Sequence, residues 1–170
     1  MNHQDHVFLL QKGIPRPGGV WADLGAGTGA FTLALAELLG PDGVIYAVDR
    51  DGRALRELTS RNPHTTLHTL TADFTQPLSL PPLDGLIMAN SLHFVQDKEP
   101  VLRRMKGYLK PDGRLLIVEY NTDHGNAWVP YPFAYLTWEK LARQAGFRHT
   151  EKLASRPSRF LGEIYAAVSW

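Results

Sequence analysis

The sequence of 170 residues contains no cysteine. Without thiols the chain forms no disulfide, no thiolate metal site and no cysteine nucleophile. It also carries little net charge, because 18 Lys and Arg residues against 17 Asp and Glu residues give +1 at pH 7. A chain so close to neutral has no strong basic face, which disfavours nucleic acid as a partner.

Long apolar runs are missing as well. No uninterrupted run approaches the ~20 residues that a transmembrane helix needs, and residues 1–11 are polar and rich in histidine where a secretory signal has its apolar core. We therefore expect a cytoplasmic protein that does not span a membrane. The length predicts one domain over residues 1–170, in which residues 1–17 form a short N-terminal extension or lid.

The most informative segment is rich in glycine. An apolar stretch containing Asp23 is followed by Gly-Ala-Gly-Thr-Gly at residues 25–29 and then by a helical pattern. Glycines let the backbone turn sharply and approach a ligand closely, and the free N–H groups at a helix start favour a carboxylate or phosphate. Asp49 ends the next apolar stretch, where a carboxylate at a sheet edge can accept both hydroxyls of a ribose. The pattern predicts a nucleotide-like ligand.

The motif Asp-Leu-Gly-Ala-Gly-Thr-Gly at residues 23–29 resembles motif I of the class I S-adenosylmethionine (SAM) dependent methyltransferases. The resemblance implies SAM as cofactor and S-adenosylhomocysteine (SAH) as product. It also implies that Asp23 favours the cationic amine of the methionine part, that Asp49 binds the ribose, and that the end of strand three forms the adenine site. The predicted cofactor contacts are Asp23, Gly25, Ala26, Gly27, Gly29, Asp49, Arg50, Asp73, Phe74 and Asn90.

Three features leave alternatives open. The glycines also satisfy the Gly-x-Gly-x-x-Gly/Ala pattern of dinucleotide-binding enzymes. An NAD-binding oxidoreductase is the less favoured alternative, because Asp23 would set a negative charge near the pyrophosphate. Arg50 departs from the family, which often has an apolar residue against adenine there, although a guanidinium can stack on the ring. Asp73 has a structural alternative as a turn cap, with Phe74 in the core.

Strand patterns alternate with helix patterns along the chain, which predicts an α/β fold with a Rossmann-like, doubly wound sheet. The first predicted helix begins at residue 28 and ends at Gly40-Pro41, and the second begins at its Asp51 cap. Two more helices are predicted over residues 99–109 and 133–145. An irregular crossover is predicted at 73–83 and a tight turn at 111–113. The resemblance implies seven mainly parallel strands in the order 3-2-1-4-5-7-6, the last hairpin antiparallel. The predicted strands are 20–24, 44–48, 66–71, 85–89, 114–120, 148–153 and 163–169.

The segment after strand four reads Asn-Ser-Leu-His-Phe at residues 90–94. It lacks the Asn/Asp-Pro-Pro-Tyr of enzymes that methylate amino groups of DNA or protein glutamine. It resembles the Asn-Ala/Ser-Leu-His stretch of small-molecule methyltransferases similar to the quinone-biosynthesis group. His93 is the candidate catalytic base, because histidine exchanges protons near neutral pH. Alternatively it only lines the pocket, since methyl transfer from a sulfonium needs mainly in-line positioning and exclusion of water.

The predicted link between strand five and the last helix, residues 121–133, is long and aromatic. Trp128 and Tyr131 are predicted to wall an acceptor pocket with His124 at its edge, or else to cover the end of the sheet. At the N-terminus, His3 and His6 have a spacing that suits a metal, but two histidines near a chain end more often bind nothing. No metal site is predicted.

These patterns predict a SAM-dependent methyltransferase that acts on a small molecule. Two other roles stay open: a SAM-binding partner or regulatory module without turnover, and an RNA methyltransferase. Because few residues precede strand one, either a small acceptor fits a minimal pocket, with residues 5–13 as a lid, or a partner chain such as a second copy completes the site.

Overall fold

The computed structural model describes residues 1–61 and 63–170. The strands are β1 (Gly19–Leu24), β2 (Gly43–Asp49), β3 (Thr66–Thr71), β4 (Leu83–Ala89), β5 (Leu109–Tyr120), β6 (Thr150–Ser158) and β7 (Gly162–Ser169). They form one sheet in the order β3-β2-β1-β4-β5-β7-β6. Strands β1 to β5 pair in parallel, while β7 runs antiparallel to β5 and β6. The predicted fold class and strand order are confirmed.

Helices cover both faces of this sheet. They are α1 (His3–Leu10), α2 (Ala30–Leu39), α3 (Gly52–Ser60), α4 (Lys98–Tyr108) and α5 (Tyr135–Gln144). On one face, apolar residues of α1 and α2 pack with the β1 residue Trp21 and the β4 residue Ile87, while α3 packs on Ala47 of β2. On the other face, α4 and α5 pack over Leu24 and Met88. Strands β1, β4, β5 and β7 therefore contribute alternate side chains to the cores on the two faces.

The helix ends follow capping signals that are visible in the sequence. The Asp51 side chain accepts a hydrogen bond from the Arg53 N–H at 2.8 Å, which makes it the predicted N-cap of α3. Between Thr71 and Leu83 the described chain contains no helix, as the prolines there predict. The Leu78 N–H in this crossover instead donates to the Tyr108 hydroxyl at 2.8 Å.

Two strands are longer than predicted. β5 begins at Leu109, directly after α4, so residues 111–113 belong to an irregularity inside the strand and not to a separate turn. Gly113 permits this close passage, since a Cβ there would lie 2.9 Å from the Leu83 carbonyl oxygen. β6 continues to Ser158 past a register shift at residues 152–154. It does so because the antiparallel strand β7 forms backbone hydrogen bonds with β6 from Thr150 to Ser158.

The N-terminal segment packs as part of the fold. Leu9 and Leu10 of α1 are fully buried, and the His6 ring lies 4.5 Å from the Phe31 ring in the first turn of α2. The lid role of residues 5–13 stays a prediction. Across residues 1–61 and 63–170, no helix combines the length and apolar character needed to span a bilayer.

Candidate active site

The glycine segment forms the connection from β1 to α2 at the carboxyl edge of the parallel strands. Gly25, Gly27 and Gly29 all have positive φ, at 82°, 53° and 89°. A Cβ on Gly25 would lie 2.4 Å from the Ser91 Cβ, so this glycine allows close packing of two loops. A Cβ on Gly27 would meet nothing within 4 Å. The space above Gly27 is therefore open to a ligand.

Backbone hydrogen bonds tie this turn to the end of β2. The N–H groups of Gly25 and Ala26 both donate to the Val48 carbonyl oxygen, at 2.8 Å and 3.1 Å. The Gly27 N–H donates to Asp49 Oδ2, and the Asp51 N–H donates to Asp49 Oδ1, both at 2.8 Å. Asp49 thus holds the turn in place while it also lines the adjoining cavity.

Asp23 lies behind the glycine turn and is 1% exposed. Its Oδ2 accepts a hydrogen bond from the Thr32 hydroxyl at 2.6 Å. Burial raises the pKa of Asp23 to about 7, the Thr32 bond lowers it in part, and the nearby charge of Asp49 raises it further. Asp23 does not line the cavity, so it would act on a ligand through the electrostatic field of its charge and not through direct contact.

A cavity of about 290 Å³ opens at the ends of β1, β2, β3 and β4. This volume lies near the lower end of the range for small-molecule sites, roughly 300–1,000 Å³. The predicted cofactor residues that line it are Gly25, Asp49, Arg50, Asp73, Phe74 and Asn90. Residues from four separate stretches of the chain therefore meet at one hollow, as the carboxyl-edge rule for open α/β sheets requires.

The adenine side of the cavity is built on a turn. Asp73 Oδ1 accepts hydrogen bonds from the N–H and the hydroxyl of Thr75, at 2.8 Å and 2.7 Å. These two bonds, and then the positive charge of Arg50, lower the pKa of Asp73. Asp73 is thus a turn cap whose ionised Oδ2 stays available at the cavity, and the half-buried Phe74 ring lies beside it.

Asn90 combines an unusual backbone conformation with a buried polar atom that no described residue pairs with. It has a φ of 52°, which is uncommon for a residue other than glycine, and its N–H donates to the Val118 carbonyl oxygen at 2.8 Å. Its side-chain oxygen is buried and has no hydrogen-bond partner among the described residues. Buried polar atoms are almost always paired, so this oxygen in the cavity wall fits a hydrogen-bond donor on a ligand.

His93 follows in a short 3-10 turn, Leu92–Phe94, and is 3% exposed. Its Nδ1 lies 2.7 Å from Oε2 of Glu119, which is fully buried at the end of β5. Glu119 Oε1 also accepts the N–H groups of Leu92 and His93, at 3.0 Å and 3.2 Å. A carboxylate at Glu119 would accept from Nδ1–H, and in the neutral ring Nε2 is then the acceptor. The imidazole lies beside the cavity wall and does not line it.

The residues predicted to wall the acceptor pocket lie on the surface. Trp128 is 77% exposed and Tyr131 is 39% exposed, while His124 is exposed and its N–H donates to the Thr122 hydroxyl. Tyr131 is close to the cavity, since its N–H donates to the His93 carbonyl oxygen at 3.0 Å. The link that carries them is anchored by Phe133, which is 1% exposed.

Three further rings near this edge were not predicted as a group. The His93 ring lies 4.3 Å from the Phe94 ring and 6.2 Å from the Tyr120 ring, and Tyr120 lies 5.7 Å from Phe160. Phe94 and Phe160 are 58% and 50% exposed. Phe160 comes from the β6–β7 hairpin, far away in sequence, so only the strand order brings it to this edge.

A larger hollow, of about 620 Å³, lies at the opposite edge, where the parallel strands begin. It is lined by the ion pair between Lys110 and Asp84, whose Nζ and Oδ2 are 2.8 Å apart. Asp84 Oδ2 also accepts the Val20 N–H, so this carboxylate already has its partners. In the described part of the chain, no three His, Asp or Glu side chains gather as a metal site.

Comparison with known proteins gives matches along most of the chain. The family described as "Methyltransferase domain" matches residues 22–115. The ubiquinone/menaquinone biosynthesis C-methyltransferase of Burkholderia mallei (strain SAVP1) is 29% identical over 152 residues, covering 82% of this chain and 60% of that protein. The chain thus spans about 60% of the length of the curated relatives it matches.

Solved structures show the same fold. A SAM-dependent methyltransferase from Aquifex aeolicus aligns with a TM-score of 0.75 and 18% identity, covering 97% of this chain and 88% of that one. A methyltransferase of calicheamicin biosynthesis in an SAH-bound form aligns with a TM-score of 0.73 and 19% identity, covering 97% of this chain and 53% of that one. At such identities the likeness concerns the fold.

Proposed function

The chain belongs to the SAM-dependent methyltransferase family, and we propose that it transfers a methyl group from SAM to a small-molecule acceptor. The observation that carries the proposal is the cavity at the carboxyl edge, which Asp49 and Asn90 both line and where the Asn90 side-chain oxygen has no partner among the described residues. A carboxylate and an amide oxygen are acceptors, which suit the hydroxyl and amine donors of a nucleoside.

In this proposal each predicted cofactor residue has a distinct task. Asp49 accepts from the ribose hydroxyls, Asp73 Oδ2 accepts from the adenine amine, and Arg50 and Phe74 cover the ring. Asn90 supplies its unpaired oxygen to a donor on the methionine part. Asp23, with Gly25, Ala26, Gly27 and Gly29, forms the floor under the methionine part. The negative charge of Asp23 favours an amine at that point.

Bound SAM supplies an electrophilic methyl group on a sulfonium. The residues around the cavity then have to align the acceptor and keep water out. We propose that the rings of Phe94, Tyr120 and Phe160, with Trp128 and Tyr131, receive the acceptor, and that His124 lies at the edge of this surface. His93 takes a proton at Nε2 from a hydroxyl or amine acceptor, while Glu119 holds Nδ1–H and so orients the ring.

The cofactor assignment is tested by calorimetric titration with SAM, SAH and NADH in parallel. We expect micromolar binding of SAM and SAH and none of NADH, and NADH binding alone would support the oxidoreductase alternative. Asp49→Ala should weaken SAM binding about 100-fold or more, which is about 3 kcal/mol. Asp42→Ala, which removes the same charge from an exposed position, should leave SAM binding unchanged. Equal SAM affinity in both variants would contradict the ribose role of Asp49.

Turnover separates an enzyme from a binding module. We expect SAH to form when the protein is incubated with SAM and a panel of phenols, amines and carbon acids of low mass. Tight SAM binding with no SAH from any acceptor would favour a partner or regulatory module. SAH formed only with RNA would favour the RNA methyltransferase, although a net charge of +1 supports a small acceptor. The cytoplasmic location and a homodimer also remain proposals, and light scattering in solution decides the homodimer.

A further inference from the structure

Lys98, the first residue of α4, is 7% exposed although lysine is usually on the surface. Its Nζ donates to the Val95 carbonyl oxygen at 2.7 Å and to the Tyr131 carbonyl oxygen at 2.8 Å. The same ammonium group lies 5.1 Å from the centre of the Phe133 ring and 5.8 Å from that of Tyr131. Lys98 therefore joins two segments that are separated by more than thirty residues.

These two segments belong to the two sides of the site. Val95 lines the cofactor cavity. Tyr131 belongs to the link after β5 that carries the predicted acceptor residues. A second bond, from the Tyr131 N–H to the His93 carbonyl oxygen at 3.0 Å, runs between the same segments. Both backbone groups of Tyr131 are therefore bonded: its N–H donates to the His93 carbonyl oxygen, and its carbonyl oxygen accepts from Lys98 Nζ.

The stability of α4 does not explain this lysine. A cation at the first position of a helix faces the positive end of the helix dipole, which is unfavourable. Burial also lowers the pKa of Lys98, and only the charge of Glu119 acts in the other direction. Both effects oppose a buried ammonium group, so the two carbonyl contacts are what compensates for its position.

We propose that Lys98 is a positioning residue: its ammonium group fixes the segment of residues 128–131, here called the aromatic segment, against the wall of the cofactor cavity. The inference rests on the proposed function in one respect, since it takes the aromatic segment as the acceptor side. It follows that loss of the ammonium group releases the aromatic segment, while Asp49, Asp73 and Asn90, whose hydrogen bonds do not involve Lys98, keep their places.

The experiment compares three variants of the full chain. Lys98→Met keeps length and removes the charge, and Lys98→Arg keeps donors for both carbonyls. Lys106→Met is the matched control, because Lys106 lies on the same helix, donates to the Gly146 carbonyl oxygen and packs 5.4 Å from the Phe147 ring centre, away from the cavity. Protein labelled with 15N-tyrosine gives six backbone signals, and Tyr131→Phe identifies the one from Tyr131.

Amide hydrogen exchange at Tyr131 is the readout. We expect the rate to rise about tenfold or more in Lys98→Met, and to stay within about threefold of the wild type in Lys98→Arg and Lys106→Met. An unchanged rate in Lys98→Met would overturn the proposal. So would an equal rise in Lys106→Met or at all tyrosines, since either would mean a general loss of stability.

SAM titration of the same samples separates the two proposals. We expect the affinity of Lys98→Met for SAM to stay within about threefold of the wild type, which is below 1 kcal/mol. A loss of SAM binding confined to Lys98→Met would overturn the assignment of Lys98 to the acceptor side. Absence of SAM binding in the wild type would instead contradict the proposed function, while the exchange rates would still decide whether Lys98 holds the aromatic segment.

Discussion

Asp23 should make the stability of this protein depend on pH in a direction opposite to that of a salt-bridged acid. Its pKa is 3.8 in a model peptide and about 7 in the folded chain, where it is buried. Between these values the folded state binds the proton more tightly than the unfolded state, so the free energy of unfolding falls as pH rises. At about 1.4 kcal/mol per pH unit, the fall from pH 5 to pH 8 is about 3 kcal/mol.

Asp23→Asn removes the titration and keeps the side-chain shape. We expect the variant and the wild type to unfold at similar urea concentrations at pH 5. The variant should become more stable than the wild type by about 3 kcal/mol at pH 8. Other titrating groups, including the seven histidines, cancel in the difference between the two proteins. Urea unfolding at half-unit steps of pH from 5 to 8 measures the difference.

Thr32 supplies the control for this prediction. Its hydroxyl donates to Asp23 and lowers the Asp23 pKa, so Thr32→Val should raise that pKa. The fall in stability with pH should then continue to a higher pH than in the wild type. A difference between Asp23→Asn and the wild type that stays constant across the range would show that Asp23 is ionised throughout. The burial argument would then be refuted.

Two further comparisons test the site. Gly25→Ala should lower the free energy of unfolding by about 2 kcal/mol or more, because the new Cβ clashes with Ser91 and the residue keeps a positive φ. Gly27→Ala should lower the free energy of unfolding by only about 1 kcal/mol, because its Cβ meets no protein atom. Gly27→Ala should nevertheless abolish SAM binding in calorimetry. Equal effects on stability would contradict the packing role of Gly25. Glu119→Leu should lose about 3 kcal/mol or more in urea unfolding, because three buried N–H donors lose their acceptor, and Glu119→Gln should recover most of it. An unchanged urea midpoint in Glu119→Leu would argue against the role of Glu119 as their buried acceptor.

The positions of the strands and helices were predictable because their signals are local, whereas the strand order followed from the family resemblance. Alternating apolar stretches marked the strands, Asp51 marked a helix start, and the acids Asp23 and Asp49 marked strand ends. Parallel strands bring their carboxyl ends to one edge, so marking those ends also predicted the cofactor side of the site. The extensions of two strands over residues 109–113 and 154–158 were harder to predict, because pairing with a neighbouring strand lengthened these strands beyond their own sequence signals.

The acceptor side depends on contacts between distant residues. His93 and Glu119 are 26 residues apart, and Lys98 and Tyr131 are 33 apart. Each pair depends on how two segments distant in sequence meet at the carboxyl edge of the sheet, which no period of the sequence records. Lys98 in particular looks in the sequence like an ordinary exposed residue at the start of a helix. Only the buried position of its ammonium group distinguishes it.

Two unfavourable features flank the glycine turn, and together they point to a ligand. Asp23 is a buried acid whose raised pKa reflects unfavourable burial of its charge, and Asn90 keeps a buried oxygen without a partner among the described residues. A chain selected for stability alone would replace both, since each lowers the free energy of unfolding. A ligand with an amine and further donors would relieve both, because the amine favours ionised Asp23 and a donor pairs with Asn90. In the proposed function, the polar groups whose burial lowers stability are therefore the ones assigned to SAM.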